Sequence, residues 1–182
     1  FGHRLMMDFV VPGGVARDVS PEAAAAIHAE CAMLEREVRT LQDIYDEHDG
    51  LQDRFRTCGR VTPELAVRLG LVGMAGRASG QARDLRCDFA AAPWDALAVR
   101  KAGATGGDVA ARVAVRFDEL AESLRLVRSI VDHLPEGDVR TPVPDVPPHR
   151  LGLGCVGGGR AQVLGALDAG PSGTHPRCQP HD

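Results

Sequence analysis

Two amphipathic stripes constrain what this chain can fold into more than any other feature. Apolar residues recur at Ile27, Cys31, Leu34, Val38, Leu41 and Ile44, and again at Val109, Val113, Phe117, Leu120, Leu124, Val127, Val131 and Leu134. Spacings of three and four put each set on one face of a helix. Ser20-Pro21-Glu22 supplies a capping hydroxyl, a proline for the first turn and an acid near the positive end of the dipole, so the first helix is predicted to start there and end near Gly50. The second is predicted from about Asp108 to Leu134. Helices with one apolar face must bury it against each other or against a partner, which makes a helical bundle the expected architecture.

The remaining segments are shorter. Thr62-Pro63-Glu64 opens a short helix that Gly70 closes, and the glycine-punctuated stretch from Leu71 to Pro93 reads as ordered loop. Pro12-Gly13-Gly14 ends an apolar run through Met6, Met7, Phe9, Val10 and Val11. The proline-rich stretch Thr141 to Pro148 cannot continue a helix and is expected to run extended. Beyond it, Leu151 to Val156 and Arg160 to Leu167 read as two strands about a Gly157-Gly158-Gly159 turn, with Thr174 to Cys178 as a candidate third. The expected fold is mainly α, a helical bundle with a small C-terminal antiparallel β-hairpin, α+β overall. It divides into a helical core over 1–140, a connector over 141–150 and a hairpin appendage over 151–182.

Composition narrows function by exclusion. A net charge of −4 argues against nucleic acid as a partner, and the 20 arginines against the single Lys101 fit a GC-rich coding sequence better than an arginine-dependent site. The five cysteines are odd in number and form no C-x-x-C pair, which favours a reducing compartment. No apolar run approaches the ~20 residues that cross a bilayer, so membrane association is expected only through partners. The chain opens on Phe1 and closes on Asp182 after a turn-rich stretch, and it reads as an internal piece of a longer subunit, inactive alone.

Three constellations invite chemistry. Gly152 to Gly157 spells G-x-G-x-x-G, but the dinucleotide fingerprint needs a strand before it and a helix after it, and here a proline-rich connector precedes and a strand follows. His175, Cys178 and His181 are spaced three apart, a candidate zinc set without an obvious fourth ligand nearby. His28, Cys31 and Glu35 share a helix face, where a buried thiol is the simpler reading. The densest polar cluster is Arg77-Ala78-Ser79-Gly80 followed by Asp84-Leu85-Arg86. Bidentate guanidinium–carboxylate pairing there would pin the loop, and the same groups could meet an anionic ligand or a partner surface.

Several motifs, in order, also resemble one family. Gly2-His3-Arg4, Val11-Pro12-Gly13-Gly14-Val15 and Asp18 are similar to its G-x-R … P-G-G-V-x-x-D segment. Thr57-Cys58-Gly59, Glu64, Ala66, Leu69-Gly70 and Gly73 resemble T-x-G … E-A-x-x-L-G-x-x-G. Arg77 to Gly80 and Asp84 to Arg86 resemble R-A-S-G … D-x-R. Gly107-Asp108-Val109, Arg112, Glu119, Glu122-Ser123-Leu124, Leu134-Pro135 and Gly137 resemble G-D-V-x-x-R … E-x-x-E-S-L … L-P-x-G. The family is the large subunit shared by group 4 nickel–iron hydrogenases, of the formate hydrogenlyase type, and the 49-kDa (D) subunit of NADH-quinone oxidoreductase, respiratory complex I.

That resemblance implies a helical bundle held against an iron–sulfur small subunit and membrane-arm subunits, peripheral on the cytoplasmic face of the cell membrane. It implies electron transfer between iron–sulfur clusters in partner chains and a quinone or a nickel–iron site of the full subunit, with NAD-linked donors in the complex I branch and no cofactor bound by this stretch itself. Pro12, Gly13, Gly14 and Val15 are the residues expected to border the redox cavity, because glycines allow close backbone approach. Arg77, Ser79, Gly80, Asp84 and Arg86 are expected in a structural or partner-contact loop, and Arg160 at the hairpin tip. Departures matter too. The two C-x-x-C pairs that hold nickel and the quinone-contacting His and Tyr are not in this sequence, and the tip Gly157 to Gln162 keeps Arg160 but lacks the acids and tryptophan of hydrogenase-like relatives. A non-catalytic scaffold that docks an iron–sulfur partner is therefore the rival expectation.

Overall fold

The computed structural model describes residues 6–89, 91–144, 147–157, 162–170 and, as backbone, 177–181. Gly2-His3-Arg4, the tip with Arg160 and the candidate ligand His175 lie outside the described residues.

A two-residue hairpin, β1 (Val10–Val11) and β2 (Gly14–Val15), precedes helix α1 (Pro21–Glu47). The helix starts as the sequence predicts, with the Ser20 hydroxyl accepting from the Ala23 amide at 3.2 Å. It stops at His48 rather than Gly50, and the His48 ring caps a new helix, α2 (Asp49–Phe55), in which Gly50 is an interior residue. Helix α3 (Pro63–Arg68) follows its Thr62 cap, and Gly70 lies at φ +60°, the left-handed region glycine favours at a helix end.

The stretch expected as loop holds two short helices, α4 (Gly73–Ala78) and α5 (Leu85–Asp88). Its glycines hide the first because they serve close packing: a Cβ on Gly76 would lie 2.6 Å from the Leu71 carbonyl oxygen. Helix α6 (Val109–Asp132) is 24 residues long, about 36 Å at 1.5 Å per residue.

Helices α1 and α6 run antiparallel. His28 meets Asp132 at 3.0 Å, Glu35 meets Arg128 at 2.7 Å, and the Tyr45 and Phe117 rings lie 6.0 Å apart, so partners descend along α6 as they ascend along α1. Cys31 is buried on α1, as a small hydrophobe in a helical core. The apolar stripe of α1 is wider than this contact, and Leu34, Leu41 and Ile44 remain 41%, 58% and 56% exposed. The opposite side of α6 carries a second buried row, Ala111, Val115, Glu122 and Leu126. Ala78 of α4 packs with Ala111 and Val115, with Met74, Ala102 and Ala104 around them.

No helix spans the described part of the proline-rich connector, and Arg140, just before it, bridges Gly14. The appendage is a three-stranded antiparallel sheet in the order β3 (Leu151–Gly157), β4 (Gln162–Asp168), β5 (Arg177–His181). Cys155 lies opposite Leu164, so Gly152 to Gly157 is strand throughout, without the helix a dinucleotide loop requires. Of the third strand expected from Thr174 to Cys178, residues 174–176 lie outside the described residues, and Arg177–His181 is strand.

Candidate functional site

The polar chemistry of the molecule gathers around α4, α5 and α6. Arg77, on α4, donates its Nε to Glu119 of α6, and one of its terminal nitrogens lies 3.4 Å from the Arg83 carbonyl oxygen. Asp84 caps α5 through the Arg86 amide at 3.0 Å, and the Arg86 side chain returns a two-point contact, Nε to Oδ1 at 3.0 Å and Nη2 to Oδ2 at 2.7 Å. The fork geometry of guanidinium matches carboxylate, which is why arginine rather than lysine stands there. Those hydrogen bonds hold the Asp84 carboxyl below its ordinary range although burial opposes them, and they raise Arg86 in turn. The Arg86 guanidinium also lies 6.0 Å over the Trp94 ring.

Together these groups line a cleft of about 580 Å³ with Phe89, Ser123 and the strand residues Cys155 to Gly157. The loop residues singled out from the sequence are thus mostly paired internally. Gly80, at φ +82°, donates its amide to the Ala104 carbonyl, and Ser79 is buried with its hydroxyl unpaired among the described residues.

Glu122 is the carboxylate that sequence reading misses as a site. It is buried on the inner side of α6, takes the Arg100 amide at 2.8 Å, and takes Arg125 through Nε at 2.8 Å and Nη2 at 2.6 Å. Arg125 reaches on to the Leu97 and Ala98 carbonyls, so the pair clamps the loop before α6 onto the helix. Arg125 keeps the Glu122 carboxyl below its ordinary range. The available signals were the spacing of Glu119 and Glu122 on the same helix side as Ala111 and Val115 and their match to the E-x-x-E motif. A second groove of about 500 Å³ lies beside this clamp, lined among others by Glu35, Arg100, Asp118 and Arg128.

At the other end of α6, Asp108 caps the helix through the Ala111 amide and also takes the Thr57 amide, both at 2.8 Å. Arg112 donates to the Gly59 carbonyl at 2.6 Å and the Gly107 carbonyl at 3.1 Å. Gly107 sits at φ +69°, and a Cβ there would stand 1.9 Å from the Val61 carbonyl oxygen.

Pro12 stands in the turn between β1 and β2, and Gly13, Gly14 and Val15 meet the segment 139–141. The Val15 amide donates to Val139 and the Thr141 amide to Gly13, both at 3.0 Å. Cβ atoms at Gly13 and Gly14 would each fall 2.2 Å from a carbonyl oxygen of that segment, so the close approach the glycines permit is by the chain's own backbone. These four residues line neither of the two clefts. Cys178 and His181 fall on β5, and among the described residues no three His, Cys, Asp or Glu side chains converge as a metal site.

The motifs therefore meet in space as pairs: P-G-G-V with the segment after L-P-x-G, T-C-G with G-D-V-x-x-R, and R-A-S-G with the first glutamate of E-x-x-E. Comparison with known proteins reaches the same region. Residues 1–158 match the family model described as the respiratory-chain NADH dehydrogenase 49-kDa subunit. The chain is similar to the NADH-quinone oxidoreductase C/D subunit of Bacteroides thetaiotaomicron, with 32% identity over 136 residues, 75% of this chain and 26% of that protein. It is similar to formate hydrogenlyase subunit 5 of Escherichia coli, with 31% identity over 142 residues, 78% of this chain and 25% of that protein. NADH-quinone oxidoreductase subunit 4 of Thermus thermophilus is 28% identical over 147 residues, covering 81% and 36%. The matched stretch thus spans about a quarter to a third of these curated relatives. Among solved structures, a chain of the membrane-bound sulfane sulfur reductase, an archaeal respiratory membrane complex, superposes with a TM-score of 0.83 at 22% identity over 93% of this chain and 48% of that one, which shows a shared fold.

Proposed function

The chain belongs to the family of the respiratory-chain NADH dehydrogenase 49-kDa subunit, and from that premise we propose that it is part of the large subunit of a membrane-associated redox complex, of the NADH-quinone oxidoreductase or hydrogenase type. In this reading it supplies a rigid wall against which an iron–sulfur partner and membrane-arm subunits assemble, and electrons pass from partner clusters to a quinone or a nickel–iron site of the complete subunit. In this reading no chemical step falls to the residues of this stretch itself. No helix among the described residues is long and apolar enough to cross a membrane; in this reading the chain sits peripherally on the cytoplasmic face, held there by partners.

The observation that carries the proposal is the pairing of family motifs. Arg77 with Glu119, Asp108 and Arg112 with residues 57–59, and Gly13 with Thr141 join segments far apart in sequence. Residues that fasten distant segments make a scaffold of fixed shape, which is what positioning clusters and acceptors requires. The complete subunit, purified with its partners, tests this through assays for hydrogen uptake and for quinone reduction. Either activity is expected; loss of both in a preparation with intact clusters would leave the second reading, a non-catalytic scaffold, which the acid-free tip sequence Gly157 to Gln162 favours.

A further inference from the structure

The cleft between α4, α5, α6 and β3 carries more positive charge than its own carboxylates balance. Arg77, Arg83 and Arg86 line it, against two acids, Asp84 and Glu119. Arg77 commits Nε to Glu119 and Nη1 to the Arg83 carbonyl, and Arg86 commits Nε and Nη2 to Asp84. Nη2 of Arg77 and Nη1 of Arg86 keep no protein acceptor among the described residues. Arg83 is exposed, and its side chain makes no ion pair among those residues. Pairing holds the Arg77 and Arg86 planes still, so their unused donors are already ordered.

The remaining wall is apolar. Phe89 is 74% exposed and Val156 62%, and Trp94 is half-buried beside the Arg86 guanidinium. An apolar group laid on these side chains takes surface from water on both sides of the contact. The volume, about 580 Å³, falls within the range of roughly 300–1,000 Å³ found for small-molecule sites. We propose that this cleft binds a small monocarboxylate with an aromatic or branched apolar body. Its carboxylate pairs with Arg83, and its body lies against Phe89, Trp94 and Val156. One negative charge matches the single guanidinium in excess, and the unused nitrogens of Arg77 and Arg86 add to the attraction. Carboxylate and guanidinium are both planar and meet through two parallel hydrogen bonds. A dianion such as phosphate suits the cleft less, because its second charge has no guanidinium in excess and lies near Asp84 and Glu119.

Trp94 is the chain's one tryptophan, so its fluorescence reports from this cleft. Titration of the purified full chain with phenylbutyrate is expected to shift Trp94 emission saturably. Phenylbutyramide, the same body without the charge, is expected to bind about tenfold more weakly. Arg83→Gln is expected to weaken phenylbutyrate about tenfold and to leave phenylbutyramide unchanged. Arg54→Gln, at an exposed arginine of α2 outside the cleft, is the control and keeps the affinity. The Arg83 side chain is exposed and unpaired among the described residues, so its variant stays folded, which circular dichroism checks. Phe89→Ala is expected to weaken acid and amide alike, severalfold. Equal affinity for acid and amide would overturn the proposal, as would an Arg83→Gln variant that binds phenylbutyrate as tightly as Arg54→Gln does. So would inorganic phosphate displacing phenylbutyrate at equal concentration, or the absence of any saturable response.

Discussion

Glu122 stays ionised inside the protein because three hydrogen bonds, from the Arg100 amide and from Nε and Nη2 of Arg125, replace the water it gives up. Glu122→Gln keeps the shape and removes the charge. Arg125 is partly solvated, so the expected cost is about 1–2 kcal/mol, below that of a fully buried pair. That corresponds to roughly five- to thirtyfold faster hydrogen exchange at the Arg100 amide. The same clamp is pH-dependent. A carboxyl held below its unfolded value, about 4, contributes stability that is complete above that pH and lost as pH falls through its lower folded value. The protection factor of the Arg100 amide should therefore fall as pH drops below about 4, and Glu122→Gln should flatten that fall. Asp84, held low by Arg86, adds to the same acid sensitivity at α5.

At the level of elements, Gly107 fixes how the loop after α2 meets α6. Gly107→Ala would combine a left-handed backbone with a methyl group against the Val61 carbonyl, for an expected loss of about 2–4 kcal/mol, read as lost protection of the Val61 amide that donates to Gly107. Helices α1, α3 and α6 were legible because caps and periodicity agree there: Ser20, Thr62 and Asp108 each accept the amide three residues on. Helices α4 and α5 were not, since Gly73, Gly76 and Gly80 break any apolar period while allowing the chain to pack closely. The inner face of α6 was half legible, because Glu119 and Glu122 look like solvated residues until Arg77 and Arg125 are seen beside them. The partner of Gly13, Thr141, lies 128 residues away, a contact that no local pattern announces. Leu41 illustrates the unused part of the α1 stripe. A Leu41→Lys substitution there should shift stability by no more than about 0.5 kcal/mol while slowing aggregation in light scattering.

Over the whole molecule, a small buried core coexists with long apolar strips left in solvent, Leu34, Leu41 and Ile44 on α1 and Leu120 and Val127 on α6. Such surfaces suit a part that assembles with others better than one that stands alone, and the isolated chain should show a broad thermal transition rather than a sharp one by circular dichroism. The motif pairs give this part its rigidity, and in the proposed reading its partners give it its work. Affinity purification of the tagged parent protein from membranes, followed by electron paramagnetic resonance of the reduced sample, tests that claim most directly. Co-elution with a partner carrying reducible iron–sulfur clusters, in near-stoichiometric amount, is the predicted result. A parent protein that elutes free of partners and without a cluster signal, from membranes in which it is abundant, would contradict it.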